Sequence, residues 1–460
     1  MKGKGHSKEV DMEERRLYWD MEMEPKLNTP EMKEIQWRKL KKQIDYLYHV
    51  APFWKSRLEK AGVTPEKVKT WEHFESIPIF TKEQYRDYAE ECDGDMDRIL
   101  GGLLGENANK LVLMAATSGT TGDPTPYPFT ESDRYPWGEF SKRSFWRCGV
   151  YPGDKILHGF GLSMFIAGVP VILSTIEYGA CSIPVGAEAG TEQIIKYLNL
   201  FKPKAMICTP SLAEYMIQKA PEVTGKQVDA LNIKVIISGG EPGAGIPEVR
   251  RKLEGAFKAK LYDIGGGGIS CDYPEYQGLH YIWEDLTLFE LVNPETHEPV
   301  HLEDGARGLI AHTQLMGVSA WAGLRQSSND IMEVFTSPCP CGKTGFRFKI
   351  IGRVDDMLKV KGVMIYPPAL EGVINGFVPR VAGEFRIVLD EPPPRVVPPL
   401  KLKVEYGVGI KEEQLAGLAE EITEEMHRRV KIRPKIIWVP PNTLERFLKK
   451  KKLFEKTYEK

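Results

Sequence analysis

Apolar residues along the chain fall into two kinds of pattern. Trp37, Leu40, Ile44 and Leu47 recur at helical spacing between lysines and arginines, so the first 50 residues read as helical, with one apolar stripe on a solvated helix. From Leu111 to Tyr262, short apolar runs alternate with helical patterns. KAMICT (204–209), IKVIIS (233–238) and KLYDI (260–264) predict buried strands, and SLAEYMIQKA (211–220) and PEVRRKLEGAF (247–257) predict helices between or beside them. Strand–helix–strand alternation implies parallel sheets covered by helices. The last hundred residues form a separate unit. PPALEGVI (367–374) opens a helix on proline, FRIVLD and LKLKVEY predict strands joined by a Pro-rich loop, and KIIWV (435–439) predicts another strand. Leu415, Leu418, Ile422 and Met426 stripe one face of the helix between them. The expected fold class is therefore α/β: a large N-terminal domain, 1–351, with mixed, mainly parallel sheets covered by helices. A hinge at 352–356 would join it to a small C-terminal α+β domain, 357–460.

Composition narrows this picture. The 460 residues are 42% hydrophobic and 27% charged, as expected of a soluble chain with a large core. Lys plus Arg is 62 and Asp plus Glu is 64, a net charge of −2, which argues against nucleic-acid binding. The stretch Ile156–Ile176 is long enough for a bilayer, yet Gly159, Gly161, Gly168 and Pro170 suit a buried strand–turn–helix better, so no membrane span is expected. The first sixteen residues have no apolar core and read as no signal peptide. Seven cysteines, an odd number, point to a reducing cytoplasm and not to a disulfide scaffold.

The strongest local signal is TSGTTGDPT (117–125), entered from the apolar run LVLMAA. Glycines let backbone N–H groups approach an anion, and the hydroxyls add donors, so the run reads as a phosphate cradle; it lacks the Gly-Lys-Ser/Thr of a Walker loop.

This loop resembles the nucleotide-phosphate loop of the adenylate-forming superfamily, specifically the phenylacetate–CoA ligase branch. The resemblance extends to VAPFWKSRLEKAGVTPEKVKTWEHFESIPIFTKEQYRDY, to Gly240-Glu241-Pro242, to GLHYIWEDLTLFELVNPET (278–296) and to GRVDDMLKVKGVMIYPPALE (352–371), and so runs from about residue 35 to the C-terminus. It implies an ATP- and Mg²⁺-dependent ligase that makes an acyl-adenylate and then a CoA thioester. Ser118, Gly119, Thr120, Thr121 and Gly122 would hold the β/γ-phosphates, and Gly240, Glu241 and Pro242 would line the adenine. Tyr262 would belong to the same nucleotide site. Asp330 would bind the ribose hydroxyls, with Arg353 close by. Asp355 sits at the family hinge, about which the small domain is mobile, with Lys361 and Gly362 on the face used for thioesterification. The adenylation lysine aligns with Lys450, placed by Arg446, although Lys449, Lys451 and Lys452 also fit.

One departure stands in the middle of the site. The family's Tyr-Gly-x-Ser/Thr-Glu is replaced by Tyr262-Asp263-Ile264 and four glycines, which puts Gly266 where the Mg²⁺-binding Glu belongs. Either Asp263, Glu284 or Asp285 substitutes, or adenylation is weakened; the glycines would also form a mobile wall that clears space for a bulky acyl group. Tyr135, Trp137, Phe160, Gly161, Gly265 and Gly266 are the expected acyl-pocket residues, suited to an aryl or arylacetic acid. Cys271, His280, Cys339 and Cys341 are soft-to-borderline ligands, and some relatives carry zinc at a similar arrangement, which implies a structural Zn²⁺. The alternatives to a CoA ligase are an adenylyltransferase acting on a cofactor, and a nucleotide-binding protein with weakened chemistry. The expected partners are a carboxylic acid, ATP and CoA; a homodimer is left open.

Overall fold

The apolar runs in the middle of the chain become the strands Ala205–Cys208, Val235–Gly239 and Lys260–Gly265. Every residue of the first two is buried, which is why their runs are continuous rather than alternating. This computed structural model describes residues 18–116, 125–320, 322–361, 363–446 and 453–458. With Lys155–His158 and Cys181–Pro184, the three strands pair in parallel. Helices Pro210–Thr224 and Pro247–Phe257 lie between them in sequence, each with proline in its first turn. Thr209 caps the first by accepting from the Leu212 N–H at 3.2 Å. Leu212, Met216, Val249, Leu253 and Phe257 pack with Leu157, Met206, Ile236 and Leu261 in one core.

At Gly265 the sheet changes direction. Lys260–Gly265 turns back antiparallel onto Gly268–Ser270 through Gly266 (φ +56°) and Gly267 (φ +82°), the two positive values a tight two-residue hairpin needs. Beyond it the strands Leu279–Tyr281, Arg347–Arg353, Gln326–Phe335, Arg307–Gln314, Thr287–Val292 and Pro299–Val300 are all antiparallel. The result is one twelve-stranded mixed sheet. The expectation of mainly parallel pairing is corrected: it describes only the strands up to Lys260–Gly265. Past that point short turns replace helical crossovers, and a short turn can join only antiparallel neighbours.

Around this sheet, the N-terminal stripe behaves as expected. Helix Pro30–Val50 buries Leu40, Ile44 and Leu47, and Trp37 packs on Trp71 with ring centres 4.9 Å apart. The stretch 156–176 divides into the end of strand Lys155–His158, a loop and helix Val169–Glu177. Among the described residues, no helix is long and apolar enough to cross a membrane. LVLMAA forms the strand Leu111–Ala116, which pairs with Pro126–Thr130 outside the large sheet.

Strand Arg347–Arg353 belongs to the large sheet; after the turn Val354–Asp356 the chain enters different sheets. Helices Pro367–Asn375 and Glu412–Val430 cover a four-stranded sheet of Lys435–Val439, Lys401–Tyr406, Val381–Leu389 and Phe454–Lys456. Leu370, Ile374, Phe385, Leu402, Leu418, Ile422 and Met426 form its core. Leu415, expected on the same stripe, is only half-buried, and its carbonyl accepts the Trp438 indole N–H at 3.2 Å.

Candidate active site

Ala116 and the loops that follow strands Lys155–His158 and Val235–Gly239 meet at one end of the parallel strands. The phosphate-cradle residues Ser118, Gly119, Thr120, Thr121 and Gly122 lie outside the described residues, but both ends of their loop are fixed. Ala116 pairs with Pro126 across the hairpin, and its carbonyl accepts from the Ile166 N–H at 3.2 Å. Phe165 and Phe160 stack edge to face at 5.7 Å, and a side chain at Gly240 would come within 3.9 Å of both rings. Ala116, the 159–168 loop and the loop opened by Gly240 therefore converge. They do so outside the carboxyl ends of parallel strands, where open α/β sheets bind ligands. Glu241 accepts from the backbone N–H of Ser211 at 2.8 Å and from its hydroxyl. That ties the Gly240 loop to the opening of helix Pro210–Thr224, with Pro242 exposed beside it.

A second group of residues gathers midway along strand Gln326–Phe335, where its neighbour ends at Arg353. Arg353 donates to Asp330 at 2.8 Å and to Asp355 at 3.2 Å; Ser328 donates to Asp330 at 2.9 Å, and Asn329 to Asp355 at 3.1 Å. Burial raises the Asp330 carboxyl above its ordinary value, with Arg353 pulling the other way. Asp330 in turn contributes, after burial, to raising the phenol of Tyr127, on the strand that leaves the 117–124 loop. Lys82 was missed from the sequence. Burial lowers its ammonium pKa and Arg353 adds to this, while Asp355 and Asp330 oppose. It opens helix Lys82–Glu91 behind a Thr81–Gln84 capping box. The helix is docked by Phe80, which donates to the Arg325 carbonyl at 2.9 Å and accepts from Ser327 at 2.9 Å. The segment FTKEQYRDY carries the cap in its sequence, but not the electrostatic reach of Asp330 and Asp355, far along the chain, to its lysine.

The structure redistributes several expected pocket residues. Tyr262 is corrected from a nucleotide contact to a core residue: it is mid-strand, packed with Phe145, Cys148, Ile156, Ile207 and Ile269, and burial pushes its phenol up. Gly266 and the two glycines after it clear no space for an acyl group. An alanine Cβ at Gly266 would meet Met332 at 2.9 Å, one at Gly267 would meet Tyr281 at 2.6 Å, and one at Gly268 would meet Phe348 at 2.8 Å. The glycines are needed for close packing of a hairpin, and only Gly265 has ordinary contact distances, 3.8 Å to Ile350. Tyr135 is 61% exposed, which removes it from any enclosed pocket. Trp137 joins an aromatic cluster with Phe129 and Trp283. Phe160 and Gly161 remain at the convergence of loops, with Glu188 close to Gly161. Neither Glu284 nor Asp285 is free to replace the missing carboxylate. Glu284 accepts from the Asn28 N–H at 3.0 Å, and Asp285 pairs with buried Arg143 at 2.7 Å. Asp263, raised by burial to about 6, accepts from the Tyr276 hydroxyl at 2.6 Å beneath Gly245, in the loop opened by Gly240. Lys361 is exposed in the turn between strands Leu358–Val360 and Val363–Ile365. Gly362, Lys450 and the neighbouring lysines lie outside the described residues, while Arg446 is held by Glu405 at 2.6 Å.

Cys271, His280, Cys339 and Cys341 come together with their ligand atoms within 4.8 Å of one another. Cys271 and Cys339 sulfurs are 3.9 Å apart, and Cys341 Sγ is 3.5 Å from His280 Nε2. Tetrahedral zinc with ordinary bond lengths would space two sulfurs about 3.8 Å apart and a sulfur and nitrogen about 3.6 Å apart. His280 Nδ1 faces the Thr344 carbonyl at 2.9 Å, which leaves Nε2 for a metal. The donor set fits a closed zinc site.

Residues 362–456 match the model for the C-terminal domain of AMP-binding enzymes. The chain is 29% identical over 433 residues to the phenylacetate–coenzyme A ligase of Thermus thermophilus, covering 90% of this chain and 92% of that one. It superposes on 2-hydroxyisobutyryl-CoA ligase in the postadenylation state with a TM-score of 0.84 at 24% identity, over 97% of this chain and 92% of that one. Against the same ligase in the thioesterification state, at 25% identity over 96% and 91% of the two chains, the TM-score is 0.65, so the present arrangement is nearer the postadenylation one. Loop convergence and the end-to-end alignment point the same way: the chain is similar over nearly its whole length to phenylacetate–coenzyme A ligases, and its last hundred residues to the C-terminal domain of AMP-binding enzymes.

Proposed function

We propose that this protein is an AMP-forming acid–CoA ligase acting on an aryl or arylacetic acid. The observation that carries the reading is the Asp330–Arg353 pair, 2.8 Å apart in the large sheet, with Lys82 and Tyr127 in its electrostatic reach. A nucleotide laid across the convergent loops would offer its ribose hydroxyls to Asp330, a buried acceptor, and its phosphates to the 118–122 backbone. A carboxylate is a poor acyl donor. Attack on the α-phosphate expels pyrophosphate and leaves an acyl-AMP, from which the CoA thiol displaces AMP.

Positive charge fixed where anionic charge develops is commonly worth about 10²–10³ in rate. Lys450 and Lys82 would supply it, and Glu241 and Pro242 would hold the adenine loop in shape. Mg²⁺, when bound, neutralises phosphate charge and is held mostly by phosphates and water; Asp263 is the best placed of this chain's carboxylates to support it. Phe160 and Gly161 would border the acyl group. Residues 352–356 would serve as the hinge between domains 1–351 and 357–460, with Asp355 at its centre and Lys361 and Gly362 on the thioesterification face. A structural Zn²⁺ on Cys271, His280, Cys339 and Cys341 completes the reading, in a cytoplasmic enzyme.

The test is a panel of carboxylic acids with AMP release and thioester followed together. Arylacetic acids should give CoA-dependent AMP; if no acid in the panel does, the ligase reading fails. The closely packed hairpin at Gly266, without a carboxylate, favours weakened adenylation as the second reading, which robust pyrophosphate exchange would reject.

A further inference from the structure

The metal cluster does not end at its four ligands. The Thr344 carbonyl that faces His280 Nδ1 at 2.9 Å also accepts from Arg147 at 3.2 Å. Arg147, at the end of helix Arg134–Arg147, donates to the Thr344 hydroxyl at 3.3 Å and to the Glu24 carboxylate at 3.0–3.1 Å. The Thr344 hydroxyl in turn donates to the Glu24 carbonyl at 2.8 Å, which closes a ring. Glu24 is 0% exposed and Arg147 4%. The other carboxylate oxygen of Glu24 accepts from the N–H groups of Trp19 and Asp20 at 2.9 and 3.1 Å. Lys343 fastens the outside by donating to the Arg147 carbonyl at 3.2 Å and to Asp272, next to Cys271, at 3.1 Å.

We propose that Glu24, Arg147 and Thr344 are the outer shell of the metal centre, and that the metal thereby staples residues 19–27 to the large domain. The inference rests on the zinc reading above. Its physical basis is that a ligating imidazole is oriented by the acceptor on its far nitrogen, and outer-shell partners commonly control metal affinity by about 10–100-fold. Here that acceptor is a backbone carbonyl, held in place by a buried ion pair whose carboxylate comes from a segment more than 250 residues away. Residues 19–27 have other anchors as well: Trp19 donates to Glu139 at 3.2 Å and packs on Trp146 and Tyr178, Asp20 lies 3.8 Å from Arg143, and Leu27 enters the core beneath. Removing the metal frees His280 to turn, which withdraws the reason for Thr344 to stay where Glu24 and Arg147 meet it.

The experiment uses the full chain loaded with Zn²⁺ and measures affinity by competition with a chromophoric chelator. Glu24→Gln and Thr344→Val should each weaken zinc about 10-fold or more. They should also change the visible spectrum of the Co²⁺-substituted protein, whose bands follow the orientation of the His280 ring, while Arg147→Lys, which keeps the charge facing Glu24, should lose less affinity than either. Stripping zinc from the unsubstituted protein should open residues 19–27 to proteolysis. Unsubstituted protein that binds no zinc overturns the zinc reading and this inference with it. Zinc bound with the same affinity and spectrum by both variants overturns the inference alone. If neither variant folds, unchanged protection of residues 19–27 on metal removal also overturns it.

Discussion

A single methyl group separates the two views of the glycine run. At Gly266, φ is +56° and the Cβ would lie 2.9 Å from the Met332 methyl and 3.3–3.4 Å from the Phe348 ring. Both neighbours are fully buried. Gly266→Ala must therefore adopt a left-handed conformation and displace two core side chains, a cost of about 2–4 kcal/mol. Gly265→Ala meets nothing closer than 3.8 Å and has no positive φ, so it should cost under about 1 kcal/mol. Urea unfolding of the two variants measures the difference; equal stabilities would restore the open, space-clearing reading. Asp330 supports a second residue-level prediction. Asp330→Asn keeps the shape but removes the charge that Arg353 meets, so the apparent affinity for ATP should fall about 10–100-fold. A variant with unchanged ATP dependence would mean that the pair only braces the strand.

At the scale of elements, the turn Val354–Asp356, the proposed hinge, is tied back to strand Gln326–Phe335 by Asn329, whose amide donates to both Asp355 oxygens at 3.1 and 3.3 Å. Asn329 sits at φ +65°, so Asn329→Gly removes the tie without straining the backbone. If that tie helps hold the present arrangement, the variant should shift the ratio of pyrophosphate exchange to thioester formation by about threefold or more. Its unfolding free energy should change by less than about 1 kcal/mol. A constant ratio would remove Asn329 from the hinge.

The same scale shows what the sequence made legible. Strands buried on both faces announced themselves as unbroken apolar runs, and the C-terminal stripe Leu418, Ile422 and Met426 is on the core face as read. Pairing direction was hidden, because an apolar run looks alike in parallel and antiparallel neighbours and only the length of the connection tells them apart. Tyr262 was misplaced because a tyrosine near a motif looks the same in sequence whether its ring meets solvent or core. Lys82 and the Glu24–Arg147 pair depend on contacts across more than a hundred residues, which no local spacing encodes.

For the whole molecule, a net charge of −2 says little about response to pH, because the groups that matter are buried and oppose one another. His158 is 1% exposed, and burial lowers its pKa from 6.5 to about 4, against the smaller pull of the Ala167 backbone and Glu188. Between pH 6.5 and 4 the unfolded chain binds a proton there that the folded chain refuses, so this group stabilises above pH 6.5 and its contribution is lost as pH falls. His312, also lowered to about 4 by burial, acts in the same sense. Glu284 acts oppositely. Burial raises it from 4.5 to about 7, so between these values the folded chain holds a proton that the unfolded chain has given up. Acidification from pH 7 to 5 then favours folding at this site. Glu290, also raised to about 7 by burial, acts with Glu284; each effect amounts to about 2 kcal/mol over those two pH units, so two histidines and two glutamates nearly cancel in the intact protein. The cancellation is broken by substitution: His158→Phe should gain about 2 kcal/mol relative to the unsubstituted protein on going from pH 7 to 5, and Glu284→Gln should lose about as much. Urea titrations of the three proteins at the two pH values measure both slopes, and parallel behaviour of all three would show that neither group titrates differently in the folded and unfolded chains.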